Sequence, residues 1–263
     1  MDSTGAAPAL DGFRVERDDA AGTATIVLDR PPLNVISFPA RAQIAATLAA
    51  LDLDPAVRVI VLRGANGVFS SGGDIAGFLA APRDAMADMA WNVAAPERCR
   101  KPVIAALEKF AMGVAFELAL ACDFRLATES TQLALPEIAL GTIPGSGGTQ
   151  RLARLAGLGR AKEMIMRGRR LGAVEAHAWG VVTEVVPDGA LDEAVARWTA
   201  DMAARPQVPL ATLKKVLDET WRSPLDSGLA MEGQAFEKLR FGPEFRHGID
   251  AFLAKKKPDF SKM

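Results

Sequence analysis

The stretch PVIAALEKFAMGVAFELALACDFRLA, residues 102–127, sets out the alternation on which the fold is built. Pro102 to Leu107 (PVIAAL) is a short apolar run of strand type. Gly113 to Cys122 reads as a helix, and Asp123 to Ala127 (DFRLA) as the next strand. The same alternation continues toward the N-terminus. Val57 to Leu62 (VRVIVL) is a buried-type strand that runs into the glycine-punctuated turn Arg63-Gly64-Ala65-Asn66-Gly67. Before it, Pro39 to Leu53 carries apolar residues at helical spacing (Ala42, Ala45, Ala46, Leu48, Ala49, Leu51) and stops at Asp54-Pro55. Earlier still, Thr23 to Asp29 (TATIVLD) is a strand ended by Arg30-Pro31-Pro32. Toward the C-terminus, Val181 to Val186 is a later strand. Strands alternating with helices predict parallel βαβ units in a layered α/β fold.

After Pro187 the strands stop. Leu191–Ala204, Pro209–Trp221, Pro224–Leu239 and Pro243–Ala254 read as helices, three of them opened by proline, which suits a helix N-terminus. The expected organisation is an α/β core over residues 1–187 and a helical part over residues 188–263.

The chain has 263 residues, 49% of them hydrophobic and 24% charged, which suits a globular protein with a sizeable core. A net charge of -1 argues against nucleic acid as a partner, because that interaction needs a basic surface. The dense basic run Lys255-Lys256-Lys257 reads on its own as a solvated chain end. The two cysteines, Cys99 and Cys122, form no C-x-x-C pair, and His177 and His247 stand alone, so no metal site is expected. The segment MDSTGAAPALDG lacks a secretory pattern and no apolar run approaches a membrane span. A cytoplasmic enzyme is the expectation.

Three glycine-rich loops stand out: Phe69-Ser70-Ser71-Gly72-Gly73-Asp74-Ile75, after the strand VRVIVL; Met112-Gly113-Val114-Ala115-Phe116-Glu117, where a strand passes into a helix; and Pro136 to Arg151 (PEIALGTIPGSGGTQR). None fits a Walker loop or a dinucleotide fingerprint, and Pro144 excludes a G-x-S-x-G nucleophile elbow at Ser146. Taken alone, Gly72-Gly73-Asp74 also reads as a tight turn. Glu117 and Glu137 each lie among apolar residues beside such a loop, and a carboxylate is rarely buried without a partner or a purpose. The plainer readings are an exposed helix position for Glu117 and a first-turn residue after Pro136 for Glu137.

The segments FSSGGDI, GVAFELALACDFRLA and PEIALGTIPGSGGTQRL resemble the crotonase, or enoyl-CoA hydratase/isomerase, family. The last is the most specific, being long with few free positions. The resemblance runs from Arg30-Pro31 to Phe252-Leu253. It implies a crotonase-type spiral of repeated ββα units with a C-terminal helical trimerisation region, assembled as a homotrimer or homohexamer. It also implies an oxyanion hole made by the backbone N–H groups of Gly73 and Val114, and catalytic roles for Glu117 and Glu137. Ser71, Gly72, Asp74, Ile75, Gly113 and Gly145 are the implied substrate contacts. Adding water to a conjugated thioester places enolate charge on the carbonyl oxygen, and needs one carboxylate for the water and another for the proton at Cα. An isomerase can work with one carboxylate, so the pair favours a 2-enoyl-CoA hydratase. Isomerisation, another crotonase-type reaction, and a non-catalytic acyl-CoA-binding role are the alternatives. No cofactor is implied, because CoA arrives as part of the substrate.

Four positions depart from the family pattern. Val114 and Ala115 stand where hydratases carry loop glycines, and valine brings bulk beside the thioester. Ala76 replaces a lysine that commonly contacts CoA, and Arg30 to Val35 is one residue shorter than the common version. The resemblance also gives Lys255-Lys256-Lys257 a second reading, as a basic stretch that reaches CoA phosphates.

Overall fold

The computed structural model describes residues 9–81, 83–261 and 263. The first two strands, β1 (Phe13–Asp18) and β2 (Thr23–Leu28), pair antiparallel. β2 then pairs in parallel with β3 (Val59–Gly64), β3 with β4 (Val103–Leu107), β4 with a strand at Phe124–Thr128, and that strand with one at Glu184–Val186. Every residue of β4 is buried. This is why VIAAL is apolar at every position: a central parallel strand is covered on both faces.

A second, smaller sheet runs alongside. It contains β5 (Phe110–Met112), which pairs in parallel with β7 (Gln132–Ala134); β7 in turn pairs antiparallel with β8 (Leu171–Gly172). The large-sheet strands at Phe124–Thr128 and Glu184–Val186 are therefore β6 and β9. Single bridges between Ile36 and Gly73 and between Ser70 and Ala111 extend the small sheet toward the N-terminus. Each turn of the chain thus contributes one strand to the large sheet, a short extended piece to the small one, and then a helical return. This is the expected spiral of ββα units.

The returns are α1 (Phe38–Leu53), then α2 (Ile75–Ala80), α3 (Arg83–Val93) and α4 (Ala95–Arg98), then α5 (Val114–Ala121). After β7 come a 3-10 turn (Glu137–Leu140), α6 (Gly148–Ala156) and α7 (Leu158–Arg167), and after β8 comes α8 (Ala173–Ala178). The Ser37 hydroxyl caps α1 by accepting from the Ala40 N–H at 3.1 Å, and Asp54 ends the helix before Pro55. The buried stripe of α1 is Ala40, Arg41, Ile44, Leu48 and Leu51, which corrects the alanine-rich stripe expected from spacing. An arginine occupies a core position of that stripe.

Boundaries differ from expectation where local geometry intervenes. Gly113 has a φ of 53° and precedes α5, so that helix starts one residue later than the sequence suggests. Val181 and Val182 bond back to the Ala176 carbonyl, which delays β9 until Glu184.

The main core lies between the sheets and the helical returns, with Ile26, Leu28, Ile44, Leu62, Phe69, Leu107 and Phe116 at its centre. A second cluster covers the opposite face of the large sheet. There Val59, Val61, Ile104 and Leu126 meet Leu191 and Ala194 of α9 (Leu191–Ala203). The remaining helices are α10 (Gln207–Glu219), α11 (Leu225–Leu239) and α12 (Pro243–Leu253). Pro243 opens α12, but Pro224 sits before α11 and Pro209 lies inside the first turn of α10, where its missing N–H would have had no intrahelical acceptor anyway. Among the described residues of α10, α11 and α12, none is buried. Among the described residues, no helix is long and apolar enough to cross a membrane, and no group of three or more His, Cys, Asp or Glu could hold a metal ion.

Candidate active site

The first two glycine loops are tied together by backbone. The Phe69 and Ser70 N–H groups donate to the carbonyls of Glu108 and Phe110, each at 2.9 Å, and the Met112 N–H donates to the Ser70 carbonyl at 3.2 Å. Gly72 has a φ of 112°, and a Cβ there would lie 2.8 Å from the Met112 oxygen, so only glycine lets the loops approach. Ser71 donates to the Leu33 carbonyl at 2.9 Å, which holds the first loop against the segment before α1. The outcome is that Gly73 faces Val114. A Cβ on Gly73 would lie 3.5 Å from Val114 Cγ1. Val114 is the first residue of α5, so its N–H has no acceptor within the helix. Among the described residues, the Gly73 N–H donates to no backbone carbonyl. Among the described residues neither N–H has a backbone acceptor, and the two lie side by side, one of them at a helix N-terminus. Asp74 and Ile75 continue from Gly73 into α2, with Ile75 exposed.

Glu117 lies one turn into α5 and is 2% exposed, which overturns the reading of it as a surface helix position. Its Oε1 accepts from the N–H groups of Ser146 at 2.8 Å and Gly148 at 2.9 Å. The third glycine loop thus binds the carboxylate of the second. Burial raises the Glu117 pKa; the two backbone bonds and the nearby charges of Arg41 and Arg151 oppose that rise. Arg151 also pairs with Glu97 and donates to the Ser146 carbonyl at 2.8 Å, which fixes the loop.

Glu137 opens the 3-10 turn after β7, as its plainer reading anticipated, but it also points inward. Its Oε1 lies 3.1 Å from where a Cβ on Gly113 would stand, so the glycine makes room for it. Its Oε2 is buried with no hydrogen-bond partner among the described residues. Burial pushes its pKa up to about 7, with the negative charge of Glu117 adding to the rise and a bond from its own backbone N–H opposing it. Gly145 abuts α3: a Cβ there would lie 2.5 Å from Met89 Cε.

Gly73, Gly113, Val114, Glu117 and Glu137 therefore converge from three separate turns of the spiral. Lys255, Lys256 and Lys257 are exposed, and Ala76 is exposed on α2. Sequence reasoning missed Arg41, which is 3% exposed with its guanidinium beside Gly73. A signal existed: Arg41 precedes Ile44 and Leu48 at spacings of three and seven, on the apolar stripe of α1.

The sequence pattern of the enoyl-CoA hydratase/isomerase family matches residues 18–263. The chain belongs to that family. A family relative from Rhizobium meliloti, named as a probable enoyl-CoA hydratase, is 38% identical over 89% of this chain and 93% of its own. The 2,3-dehydroadipyl-CoA hydratase of Escherichia coli is 34% identical, with the same two coverages of 89% and 93%. Among solved structures of the family, enoyl-CoA hydratase from Bacillus anthracis superposes with a TM-score of 0.89 at 33% identity, over 96% of this chain and 100% of that one.

Proposed function

We propose that the protein is a lyase that adds water across the double bond of a 2-enoyl-CoA thioester. The observation that carries this reading is the pair of carboxylates, Glu117 and Glu137, set beside two free backbone donors. In this reading the thioester oxygen accepts from the N–H groups of Gly73 and Val114. Such preorganised donors stabilise developing oxyanion charge by roughly 2.7–4 kcal/mol each. Two carboxylates in unlike surroundings suit unlike roles. Glu117, with two N–H bonds favouring its ionised form, takes the proton from the attacking water. Glu137, with a pKa raised to about 7, delivers a proton to Cα. No metal or redox group is required, since the substrate is already conjugated. The relatives named as hydratases support the same chemistry.

The test is loss of the conjugated thioester absorbance when crotonyl-CoA is added, with a product heavier than the substrate by one water in its mass spectrum. Migration of the double bond without water uptake would replace this reading by the isomerase one. Neither reaction, on any short enoyl-CoA, would leave an acyl-CoA-binding role.

A further inference from the structure

Arg41 is a buried cation with no hydrogen-bonded counter-ion among the described residues. Its Nε, Nη1 and Nη2 are all buried, and none has a hydrogen-bond partner among the described residues. Arg125, also buried, shows the ordinary solution: its guanidinium donates to the carbonyls of Val181 at 2.5 Å, Cys122 at 2.6 Å and Ala119 at 3.2 Å. A guanidinium left unpaired in the interior is costly, because its desolvation is not offset. Burial draws the Arg41 pKa down to about 10, so it stays charged at neutral pH.

The surroundings fix where that charge is available. The Phe38 ring centroid lies 4.4 Å from Arg41 Cζ and that of Phe78 5.5 Å, and the two rings pack edge-on at 5.0 Å. Rings hold a guanidinium by its faces and leave its N–H edge free. Nη2 lies 2.8 Å from where a Cβ on Gly73 would stand. Three carboxylates are near. Glu117 acts on Arg41 through its charge, but its Oε1 is held by Ser146 and Gly148. Asp74 and Asp88 line the same cleft of about 420 Å³ as Arg41, yet neither bonds to it. The fork of donors matches a carboxylate in bidentate geometry.

We infer that Arg41 binds a carboxylate carried on the acyl group, so that the substrate is a short CoA thioester bearing an anion. This rests on the reading of Gly73 and Val114 as the carbonyl-binding pair. Because the guanidinium sits beside Gly73, the anion it reaches lies only a few bonds from the thioester carbonyl. Binding supplies the missing partner and removes the cost of the lone charge.

The experiment measures binding, not turnover, so that it stands apart from the hydration assay. Butyryl-CoA, succinyl-CoA and glutaryl-CoA are titrated calorimetrically into the wild-type protein, Arg41→Met and Arg41→Lys. The wild type is expected to bind at least one carboxylated thioester about 10–100-fold more tightly than butyryl-CoA, the range of a charge-assisted bond. Arg41→Met should lose that preference while holding butyryl-CoA within about 3-fold, and Arg41→Lys should keep part of it. Without ligand, Arg41→Met should melt no lower than the wild type. Absence of any preference in the wild type overturns the inference, whatever the variants do. So does equal weakening of all three thioesters in Arg41→Met, which would put the guanidinium on the thioester oxygen or in the scaffold. A preference for the carboxylated thioester in a protein that hydrates nothing would keep the anion site and remove the hydration reading.

Discussion

Glu117 and Glu137 are close in space and unlike in setting, and the proposed chemistry needs both. Glu117→Gln and Glu137→Gln should each lower kcat by about 10²–10⁴-fold on the same enoyl-CoA while circular dichroism stays unchanged. Near wild-type hydration by either variant would remove the two-carboxylate mechanism. The pH dependence has a definite sign. The Glu137 carboxyl sits at about 7 in the folded protein against an ordinary 4.5, so folding tightens its hold on the proton. The stability this adds is fully present below 4.5 and is lost as pH rises through 7. Wild-type Tm should therefore fall relative to Glu137→Gln between pH 5 and pH 8, and kcat should decline above pH 7 as the proton donor is lost. A Tm difference that stays flat with pH would mean that Glu137 is not held protonated. Val114 presents its side chain toward Gly73, where family hydratases carry glycine. Val114→Gly keeps the N–H, removes the bulk, and costs about 0.5–1 kcal/mol in backbone freedom. It should raise kcat/KM for acyl groups that are bulky near the carbonyl, by tens of fold at most. An unchanged ranking across a panel of enoyl-CoA thioesters would show that the side chain points away from the acyl group.

At the scale of elements, the site is assembled by the close approach of loops. The third loop passes so near α5 that a Cβ on Gly148 would lie 3.0 Å from Glu117 Oε1 and 2.9 Å from Leu135 Cδ1. Gly148→Ala should thus push the carboxylate off its two N–H donors. The overpacking should cost about 1–3 kcal/mol in a urea melt, and kcat should drop at least 10-fold. A variant with lowered stability but full activity would show that the N–H bonds to Glu117 are dispensable. The same crowding explains Gly72, which admits the Met112 carbonyl. Such glycines stand out in the sequence as loop markers, but which loop each one meets is a matter of packing.

At the scale of the whole molecule, α10, α11 and α12 leave large apolar side chains exposed, among them Leu213, Leu217, Leu229, Phe236 and Phe252. Faces of this kind on a chain of this size need covering, and assembly is the proposed cover. Light scattering should give a mass three or six times that of the 27.9 kDa chain at micromolar concentration. A mass of one chain would leave the faces to another partner. α9 behaves differently: it is buried against β3 and β6, so the outer face of the large sheet is closed by the chain itself.

Hydrophobic period and glycine spacing were enough to give the alternating strands and helices, the three loops and the two suspect glutamates. Those features are local: period reports which face is buried, and glycine marks where the chain turns or is approached. The long PEIALGTIPGSGGTQRL pattern added the family, and with it the spiral. The sequence did not reveal how deeply each acid is buried, because that depends on residues from other turns. Ser146 and Gly148 supply the donors that separate Glu117 from Glu137, and they lie 29 and 31 positions from Glu117. Arg41 was the clearest loss. A charged side chain is ordinarily exposed, and only packing against Phe38, Phe78 and Gly73 buried this one with no hydrogen-bond partner among the described residues. Burial is a property of the packed chain, and it is burial that turns an ordinary charged side chain into a group that requires a counterpart.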